Sequence, residues 1–121
     1  MNKATQAYGN VANQIASSRE IEADLLLGAA AKLQTVHDGW DGKHSELNAA
    51  LLHNRTLWSI LLTSVTRPEN PLPTDLRQNV ANIGIFVLKQ TMTAMANPRP
   101  ENLTSLISIN RKLASGLLGR A

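Results

Sequence analysis

An all-α fold is predicted, a compact bundle of four to five helices with proline-rich inter-helix corners, and three observations carry that reading. Apolar residues recur at three- and four-residue spacing along most of the chain, which is the period of one helix face. No stretch alternates apolar and polar residues for long enough to make a strand. Aromatics are only 3% of the residues, namely Tyr8, Trp40, Trp58 and Phe86. The core must therefore be built from Leu, Ile, Val, Ala and Met, which suits closely packed helices better than a β-sandwich.

The chain of 121 residues is expected to form one helical domain over 1–121, long enough to bury a core. Ala4–Ala16 places Ala4, Tyr8, Val11 and Ile15 on one face, but Gly9 and neighbouring asparagines weaken it. Residues 1–16 are thus expected to form a mobile N-terminal helix, marginal by itself. Ser17 followed by Glu20 matches a capping box. It predicts the start of a stronger helix to about Val36, with Ile21, Leu25, Leu26, Ala29, Leu33 and Val36 facing inward. His37–Gly42 carries two glycines and reads as a loop.

Ser45 is a candidate cap for the next helix, which runs to about Thr66 with a stripe of Leu47, Ala50, Leu51, Leu57, Trp58, Leu61 and Val65. Trp58 on that stripe is expected to be a buried anchor. Pro68, Pro71 and Pro73 form a stiff connection, since proline lacks the amide that would continue a helix. Thr74–Ala96 resumes with Leu76, Val80, Ile83, Val87 and Ala94 on one face and a second row of Ile85, Phe86, Leu88, Met92 and Met95. Gly84 within it costs about 1 kcal/mol in helix propensity relative to alanine. A neighbouring helix that approaches too closely for a side chain would offset that. Asn97-Pro98-Arg99-Pro100 breaks the chain again, and Glu101–Leu118 closes it with Leu103, Leu106, Ile107, Leu113, Ala114 and Leu117 inward.

Leu51-x-x-Asn54-Arg55-x-Leu57 returns as Ile107-x-x-Asn110-Arg111-x-Leu113. In both helices the asparagine falls inside the apolar stripe. An amide buried without partners costs on the order of 1–3 kcal/mol, so each is expected to bond a neighbouring helix or loop and fix the packing register.

Little in the chain points to chemistry. There is no cysteine, which removes disulfides, thiolate metal sites and cysteine nucleophiles. His37, His44 and His53 lack the one-turn spacing of a zinc helix. Glu20, Glu22 and Asp24 sit in the first turns of the expected second helix, where the dipole favours carboxylates. Gly39-Trp40-Asp41-Gly42-Lys43-His44 has the wrong glycine spacing for a phosphate loop, and His44 stands where a Ser or Thr would bind Mg²⁺. No enzyme, metal or cofactor is expected. The proline corners are too long for a helix-turn-helix, so DNA binding is not expected either. Net charge is +3 and uneven: residues 61–121 hold seven Lys/Arg against three Asp/Glu. RNA binding through basic helices therefore stays open. No apolar run approaches a membrane span, and the opening residues lack a secretory pattern. A cytoplasmic location is expected, without a membrane role.

Asn54-Arg55-Thr56-Leu57-Trp58, then Pro68-Glu69-Asn70-Pro71-Leu72-Pro73, then Leu76-Arg77-Gln78-Asn79-Val80-Ala81-Asn82-Ile83-Gly84-Ile85-Phe86 resemble the FlaF family of flagellar biosynthesis regulators. Ile109-Asn110-Arg111 and Glu20-Ile21-Glu22-Ala23-x-Leu25-Leu26 fit the same pattern, and the resemblance spans nearly the whole chain. It implies a bacterial cytoplasmic protein that binds flagellin in a chaperone-like way and promotes its synthesis or secretion. It also implies the FlbT regulator as a further partner. The rival reading is a post-transcriptional regulator of flagellin expression that works through RNA. The resemblance carries no catalytic residues. Off-stripe apolar residues suit a groove for a partner's amphipathic helix. Ile85, Leu88, Met92 and Met95 are the candidate partner-binding residues, because methionine adapts to varied surfaces. The weak first helix is expected to cover the groove when flagellin is absent.

Overall fold

The computed structural model describes the backbone of residues 3–120 and the side chains of residues 18–120. Among the described residues there are four long helices and one short one: α1 (Lys3–Asp38), α2 (Trp40–Lys43), α3 (Leu47–Val65), α4 (Thr74–Ala96) and α5 (Thr104–Leu117). Single 3₁₀ turns, His44–Glu46 and Pro100–Leu103, lead into α3 and α5. No strand occurs among the described residues, and the all-α bundle with proline corners is as expected.

The first two expected helices are one. The backbone of α1 runs through Ser17 and Ser18 without a break. No proline stands in this stretch, and a capping box acts only where the backbone before it is already non-helical. At 36 residues, α1 is about 54 Å long at 1.5 Å per residue. The side chains of Ala4, Tyr8, Val11 and Ile15, on which the expected face and the expected mobility of residues 1–16 depend, lie outside the described ones.

Further along α1, Leu26, Ala29, Leu33 and Val36 are buried as expected, but Ile21 and Leu25 are 58% and 48% exposed. Their places are taken by Ala23 and Ala30. The line Ala23, Leu26, Ala30, Leu33 follows a helix face, and its alanines let α5 and α3, the main neighbours of α1, come close. The expected loop at His37–Gly42 is mostly helical. Only Gly39 interrupts it, with Lys43 N donating to Gly39 O at 2.7 Å. Ser45 caps nothing: it lies in the 3₁₀ turn, and Glu46 occupies the N-cap position of α3 without a side-chain bond.

In α3 every residue of the expected stripe is buried, and Trp58 is fully so. Trp58 Nε1 donates to Asn110 Oδ1 at 2.9 Å. An indole N–H can only donate, so the Asn110 amide is fixed with its oxygen toward α3. Its Nδ2 then donates to Asn54 Oδ1 at 2.7 Å and to Leu26 O at 3.3 Å. The two echoed asparagines thus meet each other and tie α1, α3 and α5 together. Asn54 Nδ2 is buried without a partner.

In α4 the buried line is Val80, Gly84, Val87, Thr91 and Ala94. Leu76 and Ile83, expected inside, are 39% and 36% exposed, and Gly84 and Thr91 take the inward places. Thr91 is tolerated there because its hydroxyl donates to Val87 O at 2.7 Å, which satisfies it within the helix. The α3–α4 corner is organised by Asn70. Its Nδ2 donates to Ser64 O and Oγ, both at 3.1 Å, and its Oδ1 accepts from Leu72 N at 3.0 Å. Across the second corner, Asn102 Nδ2 donates to Asn97 O at 2.8 Å, and Gln90 Nε2 donates to Asn102 O at 2.9 Å.

The close approach expected at Gly84 is present. A Cβ added there would lie 2.8 Å from Leu62 Cγ, with the two Leu62 methyls crowding it as well. Gly84→Leu is expected to destabilise by about 1–3 kcal/mol through overpacking, net of the propensity gained. Urea unfolding checks this: a midpoint above the parent's would mean that Leu62 swings aside freely.

Candidate functional site

The sequence-named residues Ile85, Leu88, Met92 and Met95 lie along one side of α4, because steps of three, four and three residues stay on one helix face. Ile85 and Met92 are 52% and 65% exposed. Leu88 and Met95 are half-buried, and Met95 packs against the edge of the core. The structure therefore brings the four together as one flank of α4, two as prominent apolar groups and two as its base. Phe86 is exposed too, but one residue after Ile85 it turns to the opposite flank.

What bounds this flank follows from the α3–α4 seam. Gly84 faces Leu62, and the helices are joined by the Asn70 corner so that they run antiparallel. Arg55 lies two turns before Leu62 and shares its side of α3. Two turns after Gly84 on α4 comes Thr91, so Arg55 sits at the level of Leu88 and Met92. Lys89, one turn after Ile85 and just before Met92, borders the far edge. Both cations are exposed, and neither forms an ion pair among the described residues. Sequence reasoning overlooked Leu52, 49% exposed, and Arg55. They belong with Ser59 and Ile60 to an open depression of about 750 Å³ along the outer side of α3. The available signal was an unusual one: between Glu46 and Glu69 there is no acidic residue, and between Asp75 and Glu101 none again.

A second, smaller pocket of about 90 Å³ lies where α1, α3, α4 and α5 converge, lined in part by Arg19, Glu22, Val65, Leu72, Val80 and Leu117. Burial pushes the Glu22 carboxyl above its ordinary value, and Arg19 partly opposes that. At the other end of the bundle, His37 Nδ1 lies 2.9 Å from Asp38 Oδ1. That bond, and a second from Gln34 Nε2 at 2.7 Å, hold the Asp38 carboxyl below the usual range. The His44 ring stacks on Trp40 at 4.7 Å between centroids, and His53 stands exposed on α3. Among the described residues no three His, Asp or Glu side chains gather as a metal site, and no helix is long and apolar enough to cross a membrane.

The arrangement offers apolar side chains, separated cations and hydroxyls on the outer side of a two-helix hairpin. Such a surface can hold a polypeptide segment, and it presents no converging nucleophile, base and oxyanion donor for a reaction. The family described as flagellar protein FlaF matches residues 4–117. No curated protein and no solved structure matches the chain.

Proposed function

The chain belongs to the FlaF family of flagellar proteins, and from that premise we propose that it binds flagellin in the cytoplasm and promotes its synthesis or secretion as a chaperone-like regulator. One observation carries the reading: α4 buries a single narrow line of small and medium residues and leaves Ile85 and Met92 more than half exposed beside it. Apolar residues scattered singly over a surface need no explanation. Here they recur at helical spacing, beside half-buried Leu88 and Met95, and a second amphipathic helix laid along that flank would cover them. A chaperone for an assembly-prone helical protein has to cover such stripes reversibly, and a shallow flank of four residues suits release better than a deep groove. FlbT, the other partner that the resemblance implies, would act beside this complex.

Two titrations separate this reading from the RNA rival. The protein is titrated with flagellin and, separately, with flagellin message, each at rising salt. Binding to flagellin that survives high salt is expected, because apolar burial is not screened. Binding to message alone, falling steeply as counterions compete for the phosphates, would replace the proposal with the rival.

A further inference from the structure

We infer that the α3–α4 flank selects an amphipathic helix whose apolar stripe is bordered by acidic residues. The inference rests on the proposed function, since it specifies the segment which that same site receives. Charge complementarity carries it. Ile85, Leu88, Met92 and Met95 lie between Arg55 on the α3 side and Lys89 on the far side, as the Gly84–Leu62 register places them. On the hairpin of α3 and α4, acids appear only at the connecting end: Glu69 in the corner and Asp75 in the first turn of α4. The helical surfaces beyond them carry Arg55 and Lys89 against no carboxylate.

Six of the nine acidic residues lie instead between Glu20 and Glu46, on α1 and the turns that follow it. A basic-flanked helix placed on the α4 flank would meet like charge at both borders, while one with carboxylates there would meet a cation on each side. The spacing also argues for a helix rather than a nucleic-acid strand. Two separate cations with aliphatic residues between them give no aromatic platform for bases. They leave an apolar strip that a helix stripe of Leu, Ile or Met would fill.

Two synthetic amphipathic helical peptides test this, identical along the apolar stripe and carrying either Glu or Lys along both borders. Each is labelled and titrated with the full-length protein by fluorescence anisotropy. At low salt the Glu-bordered peptide is expected to bind about tenfold more tightly, a difference of about 1.4 kcal/mol shared between two exposed charge pairs. High salt should erase the difference while leaving both peptides bound. Arg55→Glu with Lys89→Glu, at two exposed positions, should reverse the order, with circular dichroism confirming an unchanged helical fold. Equal affinities at low salt, or a preference that survives in the double variant, would overturn the inference. So would an unstructured RNA oligonucleotide that binds more tightly than the Glu-bordered peptide and is lost in the double variant.

Flagellin capture by the parent protein, measured in parallel, keeps the two readings apart. Capture without any peptide preference sinks the charge inference and leaves the proposed function standing. A clear preference without capture does the reverse.

Discussion

Trp58→Ala is expected to lower stability by about 3–5 kcal/mol, a large part of the 5–15 kcal/mol typical of a whole domain. Two losses combine in that figure. The indole is among the largest fully buried side chains, so its removal leaves a cavity between α3 and its neighbours. It also takes away the donor held by Asn110 Oδ1, and a buried acceptor left unsatisfied costs about 1–3 kcal/mol. Trp58→Phe weights the second loss, since it keeps most of the buried volume while removing the N–H donor. The asparagines give a sharper contrast. Asn110 makes three hydrogen bonds, to Trp58, Asn54 and Leu26, whereas Asn54 makes one and keeps an unpartnered buried N–H. Asn110→Ala should therefore destabilise clearly more than Asn54→Ala. Urea unfolding of the four variants checks the set. If Trp58→Ala unfolds at the parent's midpoint, or the asparagine order is reversed, the network does not hold α1, α3 and α5 together.

How far these features were legible in the sequence depends on the surroundings of each helix. The buried stripe of α3 was readable because α3 packs against both α1 and α4, and its large apolar residues fall on one line. The position of two asparagines within apolar stripes pointed to a buried polar contact. That they bond each other across α3 and α5 depends on which helices meet, and periodicity does not contain that. In α1 the error had a physical cause. Ile21 and Leu25 outrank Ala23 and Ala30 in hydrophobicity, yet close helix packing selects the small side chains for the interface. The same competition displaced Leu76 and Ile83 by Gly84 and Thr91 in α4, although glycine in a helix had already suggested a close neighbour. The Ser17–Glu20 box failed for a local reason: a cap signature is silent when the preceding residues can stay helical. For the candidate site, the second row on α4 was visible as surplus apolar residues. The part played by Arg55 was not, because it depends on which turn of α3 faces Leu88 and Met92.

Ile85→Asp combined with Met92→Asp is expected to abolish flagellin binding and to leave the helical fold intact. Both residues are more than half exposed, so a carboxylate at either position stays solvated in the free protein and its folding cost is small. In the complex each carboxylate would be pressed against the partner's apolar stripe, without a hydrogen bond and at a heavy desolvation cost. Two central anchors worth about 2 kcal/mol each would together lower affinity by roughly a thousandfold. Leu88→Asp is a poorer probe, since Leu88 is half-buried and its substitution would also disturb the packing of α4. Phe86→Asp is the control. It is 47% exposed on the opposite flank, so it tests whether any added acid on α4 impairs binding. Isothermal titration with flagellin, beside far-UV circular dichroism of each variant, reads the result. Loss in the double variant with binding retained in Phe86→Asp places flagellin on the Ile85–Met95 flank. The opposite pattern would move the site to the Phe86 side, and normal binding in both would remove α4 from the interface altogether.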